Sequence, residues 1–169
     1  MTKLLALDQA SRCSVWAVFI DGELKEWGHL DTVQDEVGER LVQIREFIIN
    51  KVKEWDIDTI AFEDIQLQSS VGNNVKTFKV LANVYGVVLE TAVELEKNFV
   101  IVPSTVWKSK LGIKGRTRPE QKKNAQEYIR NNYQVKPTQD EADAICIGTC
   151  IVRGGSPSPT LEKGHDWSK

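Results

Sequence analysis

The sequence predicts a single α/β domain on a five-stranded mixed sheet, three antiparallel strands followed by two parallel ones, with helices flanking it. Three features carry this prediction. Strand-like segments crowd the first thirty residues around an Asp21-Gly22 turn, long stretches of helical apolar spacing lie before and after residues 57–62, and a short apolar segment ends at Pro103.

Residues 4–7 are a short apolar run, residues 13–20 are rich in Val, Trp, Ala, Phe and Ile, and residues 23–30 follow Asp21-Gly22, a dipeptide suited to a tight hairpin. These predict the three antiparallel strands. Over residues 35–55, Val37, Leu41, Ile44, Ile48 and Val52 recur at spacings of three and four, which places them on one face of an amphipathic helix. Residues 57–62 predict a fourth strand ending at Glu63, followed by a polar loop over residues 66–74. A second long helix over residues 76–97 turns Phe78, Leu81, Tyr85, Val88, Ala92 and Leu95 inward, and residues 99–102 form the fifth strand. Residues 104–111 predict a short helix, 112–118 a basic loop, and 119–131 a helix opened by Pro119, where the missing N–H costs least. The last helix starts at Pro137-Thr138-Gln139-Asp140, is strongly apolar to residue 153, and is stopped by Gly154-Gly155. Residues 1–153 therefore form one domain and residues 154–169, with Ser156-Pro157-Ser158-Pro159, a flexible tail.

At 169 residues the chain can bury a core without disulfides or structural metal, and 41% hydrophobic against 27% charged residues argues against disorder. No apolar run is long enough to span a bilayer, and the start is interrupted too early for a signal peptide, so the expected location is cytoplasmic. Cys13, Cys146 and Cys150 form no CxxC pair, and His29 and His165 are far from them in sequence. Zinc-ligand spacing is missing, and the cysteines are expected to be reduced and partly buried.

The net charge of −2 conceals a segregated distribution. Between Lys108 and Arg130 stand eight cations (Lys108, Lys110, Lys114, Arg116, Arg118, Lys122, Lys123 and Arg130) against two acids, Glu120 and Glu127. A basic segment beside an acidic remainder suits a protein that holds phosphate at one place and cations at another, although a solvated helix face has the same composition.

Asp8 ends the first strand and Glu63 the fourth. If those strands are neighbours, both carboxylates project from the carboxyl edge of the sheet, where open α/β sheets build their sites. Asp140 and Asp143 are spaced i, i+3 at the start of the last helix, on one face and about 5–6 Å apart at Cβ, so they could share a cation. Asp143 is flanked by Ala142, Ala144, Ile145 and Ile147, and a charge in such surroundings needs a partner. Asp140 has a simpler alternative as an N-cap, and strand-end acids are common on their own account. Four converging carboxylates with no basic partner beside them in sequence would repel unless neutralised, which points to a hard divalent cation, Mg²⁺ first and Mn²⁺ as its substitute. Two such ions would suit phosphodiester hydrolysis.

Strand-borne Asp8 followed by a hairpin, strand-borne Glu63, and Pro137-Thr138-Gln139-Asp140-Glu141-Ala142-Asp143-Ala144 opening the last helix resemble the RuvC family of the RNase H-like superfamily, notably its phage-encoded branch. Val102-Pro103-Ser104-Thr105-Val106-Trp107-Lys108, Gly112-Ile113-Lys114-Gly115 and Gln121-Lys122-Lys123 are similar to that family's basic stretch. The resemblance spans residues 3–153. It implies an RNase H-like fold, a homodimer, Mg²⁺-dependent nicking of Holliday junction strands, and Asp8, Glu63, Asp140 and Asp143 as metal ligands and catalytic groups. It also implies DNA contacts from the basic stretch, Lys108, Lys110, Lys114, Arg116, Arg118, Lys122 and Lys123, with Lys108, Lys114 and Lys122 foremost. Bacterial members carry an aromatic shortly after the glutamate, whereas Gln66 follows here and the next aromatic is Phe78. The implied substrate range is therefore broader, covering four-way junctions, forks and flaps, within a bacterial host if the chain is phage-encoded.

Two other readings use the same residues: an RNase H-like nuclease of RNA or RNA–DNA hybrid, similar to the YqgF relatives, and a non-catalytic branched-DNA binder. Clustered anions repel phosphate, so binding alone gives no reason for four of them. An actin-like ATPase is disfavoured, because no GxxxxGK[ST] or paired glycine-rich turn is present.

Overall fold

In the computed structural model, residues 2–66, 74–153 and 165–166 are described. The strands are β1 (Lys3–Asp8), β2 (Cys13–Ile20), β3 (Glu23–Asp31), β4 (Thr59–Glu63), β5 (Asn98–Val102) and β6 (His165–Asp166). The helices are α1 (Val37–Trp55), α2 (Asn74–Glu94), α3 (Ser104–Leu111), α4 (Arg118–Tyr133) and α5 (Gln139–Arg153). The sheet order is β3-β2-β1-β4-β5-β6, with β1, β2 and β3 antiparallel and β1, β4 and β5 parallel. The five predicted strands and their directions are all present.

The hairpin forms where the turn chemistry demands it. Asp21 and Gly22 both adopt positive φ, 51° and 83°, the conformation a tight turn needs to match the twist of its strands. Parallel pairing of β1 with β4 requires a crossover, and α1 supplies it; its inward stripe of Ile44, Ile48 and Val52 is buried as the spacing predicted. Along α2 the buried line is Val84, Val88 and Ala92, with Leu81, Tyr85 and Leu95 partly covered beside it.

Strand periodicity divides the core in two. Leu4, Ala6, Val15, Ala17, Phe19, Ala61, Val100 and Val102 pack under α3, α4 and α5, while Leu5, Leu7, Trp16, Val18, Ile60, Phe62 and Ile101 pack under α1 and α2. Small residues at Ala6, Ala17 and Ala61 let α5 lie close to the sheet. The closest approach is at Gly148, where an added Cβ would stand 2.1 Å from the Phe19 ring. Asp8 shares the parity of Leu4 and Ala6, and Glu63 that of Ala61. Both acids thus belong to the face that α5 covers.

β6 pairs parallel with β5, Val100 with His165 and Ile101 with Asp166, and is a sixth strand beyond the five expected. Two residues carry no period-2 pattern, so β6 is not visible from local sequence. The rest of the expected tail, residues 154–164 and 167–169, and residues 67–73 of the expected polar loop lie outside the described residues. Among the described residues, no helix is long and apolar enough to cross a membrane.

Candidate active site

The carboxyl ends of β1 and β4 open into a cavity of about 560 Å³, lined on the sheet side by Asp8 and Glu63 and on the helix side by Asp140 and Asp143. All four predicted acids therefore face one space. Asp64 and Gln66, which follow Glu63 in the chain, line it too, as do Lys108, Arg118 and Lys122 from the basic segment. Lys110, Lys114, Arg116 and Lys123 are exposed outside this lining.

The start of α5 is capped by Thr138. Its hydroxyl accepts from the Glu141 N–H at 3.1 Å, and the Glu141 carboxylate accepts from the Thr138 N–H at 2.9 Å, a reciprocal capping box. Asp140 is thus released from the capping role that the sequence left open. Its carboxylate instead accepts from Lys122 Nζ at 2.7 Å, and the same ammonium reaches Asp143 at 3.2 Å. The i, i+3 pair does share a cation, and it is the side chain of Lys122, carried in by α4.

The acids, which have no basic partner beside them in sequence, thus have one in space. Lys122 lies 18 residues before Asp140, too far in sequence for the pairing to be visible there. Burial alone would lower the Lys122 pKa, but its bonds to Asp140 and Asp143 outweigh that and hold it above the ordinary lysine range. Among the described residues, no three His, Cys, Asp or Glu side chains are gathered closely enough to hold a metal ion as they stand.

The strand-borne pair has a different environment. Desolvation, reinforced by the charges of Glu63 and Asp143, pushes the Asp8 carboxyl well above its ordinary range. Desolvation likewise raises Glu63 to about 7, partly offset by the hydrogen bond it accepts from Trp107. Asp143 is raised by burial, and Lys122 pulls against that shift. Asp8 and Glu63, which have no ammonium or guanidinium bonded to them among the described residues, are short of positive charge.

Two residues at the site carried no functional signal in the sequence. Gln9, directly after Asp8, donates from Nε2 to the Glu63 carbonyl at 2.6 Å and accepts from the Glu63 N–H at 3.2 Å. Trp107, buried in α3, donates from its indole N–H to Glu63 Oε2 at 3.2 Å. The only available hint was polarity at a strand end and an aromatic inside a basic stretch. Lys108 is held by Gln121 Oε1 at 3.1 Å, and its ammonium stands 5.3 Å from the centre of the Trp107 ring. Cys146 and Cys150 are buried as small apolar groups, whereas Cys13 is exposed at the cavity rim.

Neither a protein-family model nor a curated protein matches the sequence. Solved structures do match. Thermus thermophilus RuvC in complex with a Holliday junction substrate superposes with a TM-score of 0.71 at 16% identity, over 89% of this chain and 92% of that one. The fold is that of RuvC. A second Thermus thermophilus RuvC structure gives 0.67 at 17% identity over 89% of this chain and 93% of that one. The yeast mitochondrial Holliday junction resolvase gives 0.61 at 13% identity over 90% and 78%. The RuvC-like arrangement of an antiparallel hairpin sheet continued by parallel strands thus covers nearly the whole described domain, RNase H-like as the motifs implied.

Proposed function

We propose that the protein is a divalent-metal-dependent endonuclease of branched DNA, acting on four-way junctions and, more broadly, on forks and flaps. The observation that carries this reading is the convergence of Asp8, Glu63, Asp140 and Asp143 on one cavity, at the carboxyl edge of a RuvC-like sheet, with Lys108, Arg118 and Lys122 in its lining. Binding alone does not call for such a set, since four carboxylates repel a phosphate backbone.

The donor chemistry fits a hard divalent cation. All four groups are oxygen donors, desolvation has raised Asp8, Glu63 and Asp143, and the Lys122 ammonium is bonded to only two of the four, Asp140 and Asp143. Mg²⁺ is the preferred ion, with Mn²⁺ as substitute, and Asp8, Glu63, Asp140 and Asp143 would hold it. When bound, such ions supply activation of the attacking water and stabilisation of the leaving oxygen of a phosphodiester.

The chain's own groups do the remaining work. Lys108 and Arg118 offer positive charge to phosphates beside the acids, and the exposed Lys110, Lys114, Arg116 and Lys123 extend that charge outward as positioning contacts. Lys122 offsets part of the charge of Asp140 and Asp143, and with a metal ion on those acids its ammonium would be available to phosphate. A two-fold homodimer completes the proposal, because a four-way junction presents equivalent strands to a symmetric pair of sites. Sedimentation with junction DNA bound is expected to give two chains per junction.

The test is incision of a labelled immobile four-way junction in Mg²⁺, beside linear duplex, a flap and an RNA–DNA hybrid. Preferential cutting of the junction and flap supports the proposal. Cutting of the hybrid with the branched DNA spared reassigns the same acids to ribonuclease action, and tight junction binding without incision of any substrate makes the protein a binder.

A further inference from the structure

We propose that Gln9 and Trp107 are positioning residues, a two-point clamp that fixes Glu63 for cation binding; this rests on the metal-site reading above. The last backbone partners of β1 and β4 are Leu7 and Phe62. Beyond them Glu63, although it still pairs with Val102 of β5 on the opposite edge, has no strand partner on its β1 edge. The Gln9 side chain takes over that place. Its amide is a donor and an acceptor in one plane, like a peptide group, and it offers both to the Glu63 backbone, 2.6 Å to the carbonyl and 3.2 Å to the N–H. The ladder is thereby extended by one rung at the point where the two strand-borne carboxylates stand side by side.

The second point of the clamp acts on the side chain. Trp107 is 2% exposed, and its indole N–H, a donor with no acceptor capacity, is satisfied by Glu63 Oε2. That bond fixes the rotation of a carboxylate whose backbone Gln9 has already fixed. Gln9 is itself only 7% exposed. An apolar side chain of its size would fill the same volume without a buried amide to satisfy, so packing gives no reason for glutamine here. A cation shared between carboxylates on different elements does, because ligand placement depends on outer groups that hold each ligand in one orientation. The clamp ties all three elements around Glu63: the end of β1, the end of β4 and α3.

The test is isothermal titration of the full chain with Mn²⁺ at a temperature well below every unfolding midpoint, on the wild type, Gln9→Met, Trp107→Phe and Tyr133→Phe. The first two keep most of the volume and remove the bonds to Glu63, Trp107→Phe also trimming a buried ring. Tyr133→Phe removes a hydrogen bond to Thr149 at 2.8 Å, away from the acids, and controls for a general loss of stability. Outer groups of this kind are worth about 10–100-fold in metal affinity, so Gln9→Met should bind Mn²⁺ at least about tenfold more weakly, Trp107→Phe several-fold more weakly, and Tyr133→Phe like the wild type. Lower melting temperatures with wild-type Mn²⁺ affinity in both clamp variants would overturn the clamp and leave the metal site standing. Failure of the wild type to bind Mn²⁺ overturns both. Trp107→Phe, the milder change, decides the question should Gln9→Met not fold.

Discussion

Asp8 and Glu63 leave the ends of adjacent parallel strands, desolvated and repelling one another, with the Trp107 indole as the donor on Glu63. Asp140 and Asp143 ride the first turn of α5 with the Lys122 ammonium between them. Among the described residues the first pair has no bonded cation; the second has one built in on the lysine side chain of α4. A cation bound in the cavity would therefore meet two different electrostatic settings. At the strands it supplies charge that the chain does not, and at the helix it competes with charge that the chain already provides.

The largest expected difference is in incision. Asp8→Asn and Glu63→Gln remove strand-borne ligands and should each lose at least about a thousand-fold in junction cleavage, since charge stabilisation by a bound metal is worth several kcal/mol. Asp140 is exposed and Asp143 nearly buried, so Asp140→Asn should lose less activity than Asp143→Asn under the same single-turnover conditions.

The next effect separates the pairs by packing. Gly148→Ala drives a methyl into Phe19 and must push α5, with Asp140 and Asp143, off the sheet, while leaving the β1–β4 pairing alone. Overpacking of this kind costs about 1–3 kcal/mol and is read as a lowered thermal midpoint.

The pairs also differ in pH dependence. In the unfolded chain a glutamate loses its proton near pH 4.3, whereas folded Glu63 keeps its proton until about 7. Between those values the unfolded state binds fewer protons, so stability falls as pH rises through that window. Glu63→Gln removes this cost and should be more stable than the wild type at pH 8, by on the order of 1–3 kcal/mol, but no more stable at pH 4. Lys122 runs the other way: its raised pKa contributes stability present at neutral pH and lost only as pH rises past the lysine range. Added Mg²⁺ should therefore raise the wild-type melting temperature more at pH 8 than at pH 6, because its ligands must first lose their protons. Equal increments at the two pH values would count against the strand-borne pair as ligands.

The smallest effect concerns the rim. Lys114→Glu should weaken binding to all branched substrates alike and reduce the slope of log affinity against log salt by about one, as for a phosphate contact.

Local rules made most of the fold visible in the sequence. Asp21-Gly22 gave the hairpin through its turn chemistry, and Ile44, Ile48 and Val52 gave α1 through their spacing. Their places at the ends of β1 and β4 put Asp8 and Glu63 at the carboxyl edge of the sheet, and the Asp140/Asp143 spacing put both on one helical face. The partners of those acids obey no such period. Lys122 meets Asp143 across 21 residues, Trp107 meets Glu63 across 44, and Gln9 meets Glu63 across 54. Each pairing depends on how α3, α4 and the sheet edge pack, which no window of sequence contains. The apparent absence of a basic partner was therefore a property of the sequence neighbourhood and not of the site.

The most direct test of a cation-dependent catalytic role for these acids compares wild type with Asp143→Asn on one labelled four-way junction, first without metal to measure binding and then with Mg²⁺ to measure incision. The variant is expected to bind the junction as tightly as the wild type or more tightly, having lost a negative charge near the DNA, and not to cut it. Incision by Asp143→Asn at the wild-type rate would contradict the assignment.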